Sequence, residues 1–265
     1  MIRTVRGERI TAMAKLRPYG MHAFLLAYTV VLLSIDGRFA GRGTQALLGL
    51  LTFGVLAVCL VRLEGRQRLA ALICVPVATL FEVFGSLIWG GYHYRFGNIP
   101  LYVPPGHALV YVFGITAAAL PFVGRHPDLF RRSVLAVAAV WAIAGVTVFP
   151  LTGHRSDIVG LTLLPLLALC ILRTRRGTMF AAIFIAVATL EIAGTLAGDW
   201  TWEAHAPWSG IPSGNPPSSI AAGYAVIDGT VVLVAEAALF AAWRLRRRPA
   251  PATPANPAEP AVSLP

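Results

Sequence analysis

The chain has 265 residues, of which 57% are hydrophobic and only 13% charged, with a net charge of +10. Long apolar runs recur between short charged or Pro/Gly-rich pieces, which excludes an ordinary soluble domain. They do not alternate as the strands of a closed β-barrel would. The basic residues are scattered over short segments and form no groove interleaved with stacking aromatics, which excludes a nucleic-acid partner.

In chain order, residues 1–20 form a basic N-terminal segment. It lacks a clear small-x-small cleavage site at Ser34-Ile35-Asp36-Gly37 and is expected to be retained. Eight apolar spans follow, at 21–35, 44–61, 69–90, 106–123, 133–150, 158–172, 179–198 and 219–243. Several, the first and sixth above all, fall short of the roughly 20 residues a helix needs to cross a bilayer, with seven spans the alternative. The expected fold is an all-α polytopic membrane protein. Its first repeat is residues 21–123, its second 133–243, and 244–265 form a disordered, Pro/Ala-rich cytoplasmic tail. Of the 22 basic residues, all but Arg38, Arg42, Arg95 and Arg155 fall on one side of this topology. The positive-inside rule then places both termini in the cytoplasm of a cell membrane, the basic face against anionic lipid.

The repeat is visible in the third and fourth spans of each half. Val77-Ala-Thr-Leu-Phe-Glu82-Val-Phe-Gly85-Ser86-Leu87 returns as Val187-Ala-Thr-Leu-Glu191-Ile-Ala-Gly194-Thr195-Leu196. Each copy sets a carboxylate in an apolar run, where it marks a functional site by default. An aromatic loop follows each one: Trp89-Gly-Gly-Tyr92-His93-Tyr94, then Trp200-Thr-Trp202-Glu203. Each loop closes on a double proline, Pro104-Pro105 or Pro216-Pro217. Both glutamates lie about eight residues before the outer end of their span, roughly 12 Å deep. Asp228 enters span 8 from the same side and is expected at the same depth, completing a polar chamber. Glu236 lies two turns further in, either in the chamber or paired with the inner arginines. Small residues beside each glutamate allow close helix packing.

The loops read either as a lid over the chamber or as an interfacial aromatic belt. His107 and Ser218 or Ser219 occupy matching helix starts, so His107 is expected to act more as a cap than as a catalyst. The outer histidines and carboxylates leave a metal site open in principle, but no HExxH, HxxxH or CxxC spacing occurs and no metal is expected. Cys59, Cys74 and Cys170 sit in apolar runs and imply no disulfides. The only lysine, Lys15, precedes the first span, which excludes a retinal Schiff base. There is no phosphate-binding Gly-x-x-x-x-Gly-Lys-Ser/Thr loop, no Gly-x-Ser-x-Gly elbow and no aspartate-rich diphosphate motif. No cofactor is expected.

The string Glu82…Gly85…Gly91-Tyr92-His93-Tyr94…Ile99-Pro100-Leu101-x-Val103-Pro104 resembles the first block of the membrane carotenoid hydratases that act on bisanhydrobacterioruberin-type precursors. Trp208-Ser-Gly210-Ile-Pro212-x-x-Asn215 resembles the second. The chain departs from the pattern at Pro105-Gly106-His107 and at Asn215-Pro216-Pro217. A looser likeness, in carboxyl chemistry alone, is to integral-membrane terpene cyclases. The resemblance implies a lyase of carotenoid biosynthesis acting on an isoprenoid. Such chemistry starts by protonating a C=C bond, for which a carboxyl in a low-dielectric site is suited. Glu82 and Glu191 are the expected acid/base pair, with Asp228 or Asp199 in support. Trp89, Tyr92, Tyr94, His107, Trp200, Trp202 and Asn215 are the expected substrate-binding residues, the aromatic faces among them suiting a carbocation. The partners would then be a lipophilic small molecule and membrane lipid. The competing readings are a proton-coupled transporter or lipid carrier and a non-catalytic membrane protein.

Overall fold

In the computed structural model, residues 17–39 and 41–246 are described. The basic segment before residue 17 and the tail beyond 246 lie outside them. The fold is helical, with one small sheet. Its helices are α1 (Gly20–Arg38), α2 (Arg42–Val61), α3 (Gly65–Glu82), α4 (Val103–Ala117), a short α5 (Pro121–Arg125), α6 (Pro127–Thr147), α7 (Ile158–Arg173), α8 (Gly177–Ala197) and α9 (Ala221–Arg246). Strands β1 (Tyr92–Tyr94) and β2 (Trp200–Trp202) follow α3 and α8.

Among the described residues, six helices are long and apolar enough to cross a membrane: α1, α2, α3 with its extension to Ile88, α6, α8, and α9. The expected spans at 106–123 and 158–172 are shorter helices, α4 and α7. The fourth span ends early because of Pro121. Proline disfavours helical geometry in the residue before it, and Leu120 is extended (φ −66°, ψ 136°). Proline in the first turn starts α5 and α6.

α3, α4, α8 and α9 form an inner bundle, α3 and α8 each packing against both α4 and α9. α1 and α6 both lie on α8, α2 on α4, and α7 on α6, α8 and α9. α8 is therefore the central helix: 56% of its apolar window is buried, against 22–33% for the other five. The outer faces carry exposed apolar side chains such as Leu80, Leu87, Val140 and Leu233. In water such a surface would be an aggregation liability, and in lipid it costs nothing.

The loops after α3 and α8 pair with each other. β1 and β2 are antiparallel, with Tyr92 opposite Trp202 and Tyr94 opposite Trp200. The pairing continues beyond the strands, from Arg95 N–H to Asp199 O (3.0 Å) and from Glu203 N–H to Gly91 O (3.0 Å). The rest of the second loop is pinned by Asp157, whose carboxylate accepts from the backbone N–H groups of Gly160 (2.9 Å), Gly214 (3.0 Å) and Ser218 (2.7 Å). Asn215 Oδ1 accepts from the Trp202 N–H at 2.9 Å.

Candidate active site

Glu82 and Glu191 are built the same way from their own sequence neighbourhoods. Ser86 and Thr195, four residues on, donate to the carbonyl of their glutamate (2.8 and 2.7 Å). Gly90 and Gly198 then take positive φ (70° and 75°) and reverse the chain. The strand that follows returns two aromatic side chains to the glutamate it came from. Tyr92 and Tyr94 donate their hydroxyls to Glu82 Oε2, both at 2.7 Å. Trp200 and Trp202 donate their indole N–H groups to Glu191 Oε2, both at 3.0 Å. Alternate residues of a strand share a face, so an aromatic-x-aromatic triplet delivers two donors to one oxygen.

The ring over each glutamate needs room, and a glycine supplies it. A Cβ on Gly85 would lie 2.9 Å from the Tyr92 hydroxyl, and one on Gly194 would overlap the Trp200 indole. The two copies differ by one residue, Glu82 to Tyr92 being one longer than Glu191 to Trp200. The extra residue is absorbed by a π-helical turn, Val83–Ile88, at the end of α3. α8 remains α-helical to Ala197.

Each glutamate has one more partner. His107 Nε2 lies 2.7 Å from Glu82 Oε1, and both side chains are buried. This corrects the expectation that His107 caps its helix. It sits a turn inside α4, which carries prolines in its first turn and no side-chain cap. The Ser218 and Ser219 hydroxyls likewise have no partner among the described residues, so neither caps α9. Tyr224 of α9 donates to Glu191 Oε1 at 3.3 Å and stacks on the His107 ring, centroids 4.8 Å apart. Tyr224 escaped the sequence reading, although it lies one turn before Asp228 on the same helix face.

Both carboxyls line one cavity of about 350 Å³ at the sheet end of the bundle. Its walls are mostly apolar, from Leu25, Leu33, Val110, Phe113 and Ile227 among others. Trp89, Tyr92, Tyr94, His107, Trp200 and Trp202 line it, as do Phe84 and Val226, which are also about half exposed on the outer surface. Burial and the Glu82 carboxylate push the Tyr92 and Tyr94 phenols up, so both stay protonated donors.

Three expected site residues stand apart from this cavity. Asn215 holds the Trp202 backbone. Asp228 lies one turn below Tyr224, 3% exposed, with Oδ2 unpartnered among the described residues. It does not line the cavity that Glu82 and Glu191 share, so the three carboxyls do not meet in one chamber. Asp199 is fully buried behind the sheet, where Oδ1 accepts from Arg95 at 2.6 Å. Its Oδ2 and Oδ1 of Asp36 lack a hydrogen-bonded donor among the described residues, and the two carboxyls are close enough to share one proton. Burial and the Asp36 charge push Asp199 up to about 8, against the Arg95 guanidinium. Arg95 also donates to the carbonyls of Asp36, Gly37, Ala197 and Gly198, tying β1 to the ends of α1 and α8. Tyr102 and Gln45 donate to Asp36 Oδ2 (2.9 and 3.1 Å). Glu236 is on the opposite end, 3.6 Å from Arg176.

Compared with known proteins, the chain matches no family model, and no curated protein and no solved structure is significantly similar to it.

Proposed function

We propose that the chain is an integral-membrane enzyme performing acid/base chemistry on a lipophilic, isoprenoid-like substrate: hydration, cyclisation or isomerisation of a C=C bond. One observation carries this reading, namely two buried carboxyls converging on an apolar, aromatic-lined cavity. Such a cavity suits a hydrocarbon, and its partly exposed wall at Phe84 and Val226 gives a lateral path from lipid. The aromatic faces suit a carbocation.

The donor pattern supports a division of roles. Glu82 faces His107 and two phenols, so a negative charge there is matched by a potential cation and strong donors. Glu191 faces two indoles and a phenol, none of them cationic. Its Oε2 is taken by two N–H donors that cannot accept, so a proton on Glu191 belongs on Oε1, the oxygen facing Tyr224. Glu191 is then the acid that protonates the double bond. Glu82, with His107, is the base that takes a proton from water or from carbon. The net proton balance is zero, since the proton given by Glu191 is matched by the one Glu82 receives.

In this reading the chain crosses a cell membrane eight times, α4 and α7 serving as short spans. It consists of two four-helix repeats, supported by the matching glutamate, glycine and aromatic positions. The arginine-rich end faces the cytoplasm together with both termini, and the sheet faces out. The resemblance to the carotenoid hydratases favours hydration among the three reactions.

The test is lipid profiling of cells carrying wild type, Glu191→Gln, or no copy, at matched membrane levels. A metabolite that gains the mass of water, or isomerises at constant mass, with wild type alone is the expected result. Three identical extracts would overturn the enzyme reading.

A further inference from the structure

The end of the bundle opposite the glutamates holds a second cavity, of about 740 Å³, within the range of small-molecule sites. The same four inner helices form it. α3 contributes Arg66 and Gln67, α4 contributes Tyr111, and Arg175 and Arg176 stand before α8. The end of α9 contributes Glu236, Phe240 and Trp243. Three guanidiniums and a single carboxylate thus line the cavity. Arg176 is shared between that carboxylate, Glu236, at 3.6 Å and the Tyr111 hydroxyl.

A basic end alone would follow from membrane topology. Topology asks only that arginines flank the spans and does not require three of them to converge on one recess. The other wall of the recess is apolar, formed by Ile115, Met179, Val232 and Leu239. One ligand therefore sees excess positive charge with planar, fork-shaped donors on one side and hydrocarbon on the other. Guanidinium forks match phosphate oxygens geometrically. We infer that this cavity binds a phosphate-bearing amphiphile, its phosphate on Arg66, Arg175 and Arg176 and its chain along α9. The inference is independent of the chemistry at Glu82 and Glu191.

The experiment titrates the purified full-length chain, in a neutral detergent, with dodecyl phosphate, dodecyltrimethylammonium or inorganic phosphate, and counts adducts by native mass spectrometry. Dodecyl phosphate is expected to bind one to one. Arg66→Gln and Arg176→Gln should each weaken it at least tenfold. Arg62→Gln, at the same end but outside the cavity, should change it less than twofold. Thermal melts confirm that each variant is folded, and Arg176→Lys, which keeps the charge without the fork, should fall in between. Equal losses in Arg62→Gln and Arg176→Gln would reduce the effect to a diffuse field and overturn the site. So would equal binding of the ammonium amphiphile, or of inorganic phosphate alone, or no adduct with dodecyl phosphate. Competition by phosphatidylglycerol but not phosphatidylcholine would identify the ligand as a lipid headgroup. Failure of both lipids to compete would identify it as a free amphiphilic phosphate. Either result upholds the site.

Discussion

Tyr92 and Trp202 sit opposite each other in the two-stranded sheet with ring centroids 4.6 Å apart, yet they serve different glutamates. Tyr92 turns its hydroxyl to Glu82 and Trp202 its indole N–H to Glu191. The sheet thus couples the two carboxyl sites, and neither can be positioned without the other's strand.

That coupling predicts a shared effect. Tyr94→Phe removes one charge-assisted bond to Glu82, worth about 1.5–3 kcal/mol. Because β1 is registered on β2, turnover should drop about 10-fold or more in this variant and in Trp200→Phe alike. Parallel losses measured by product formation in membranes would bear this out, and a loss confined to one copy would contradict it.

Replacing either glutamate by glutamine keeps shape and most hydrogen bonds but removes the proton chemistry. Glu82→Gln and Glu191→Gln should each lower product formation by about 10²–10⁴-fold, the usual range for a general acid or base. Membrane insertion, followed by quantitative immunoblotting, should be unchanged. If Glu191→Gln retains activity, Glu191 is neither the acid nor the base and the assignment of the pair fails.

Gly194 and Gly85 differ in tolerance. A methyl on Gly194 meets the rigid Trp200 indole, whereas one on Gly85 meets the end of the Tyr92 side chain at 2.9 Å. Gly194→Ala should therefore cost more, within the roughly 1–3 kcal/mol of overpacking. Thermal melts of the purified variants would rank them, and the reverse order would count against the packing argument.

Asp228 predicts a trade between stability and function. A buried carboxyl oxygen left without a donor, as Oδ2 of Asp228 is among the described residues, costs about 1–3 kcal/mol. Asp228→Leu should raise the melting temperature, and activity should fall if Asp228 supports His107. A variant with both unchanged would mark the position as neutral.

The Asp36–Asp199 pair gives a pH dependence with a definite sign. The Asp199 carboxyl, near 3.8 in the unfolded chain, is pushed up to about 8 by burial and by Asp36. The stability it contributes is complete below about pH 4 and is lost as pH rises through about 8. Arg95 and Tyr102 are the other titratable groups at the pair, and burial and the Asp36 charge push the Tyr102 phenol up, out of this window. Relative to Asp199→Asn, the wild-type melting temperature should fall between about pH 4 and pH 8. Parallel curves would contradict the shared proton.

The two glutamates and their aromatic followers were legible because every part of that unit is local in the chain. A carboxylate in an apolar run, a glycine one turn on and an aromatic-x-aromatic triplet all lie within a dozen or so residues. His107, Tyr224 and the Arg95–Asp199–Asp36 clamp were not read in those roles, because each joins elements far apart in sequence. Proline and hydropathy placed α4, but could not show which turn of it faces Glu82. That Asp228 does not line the cavity has a related reason. The residues 203–220 do not run straight into α9 but fold back onto Asp157, so position along the span did not translate into position at the cavity.

The wide turn at Val83–Ile88 holds one more residue than an α-helical turn would. Were it to tighten, every position beyond it would rotate by about 100° on the helix. Tyr92 and Tyr94 would be drawn off Glu82, and β2, paired with β1, would be pulled with them. Of two nearly identical cradles, then, only the tyrosine one hangs on a wide turn, and through the sheet that turn bears on both carboxyls.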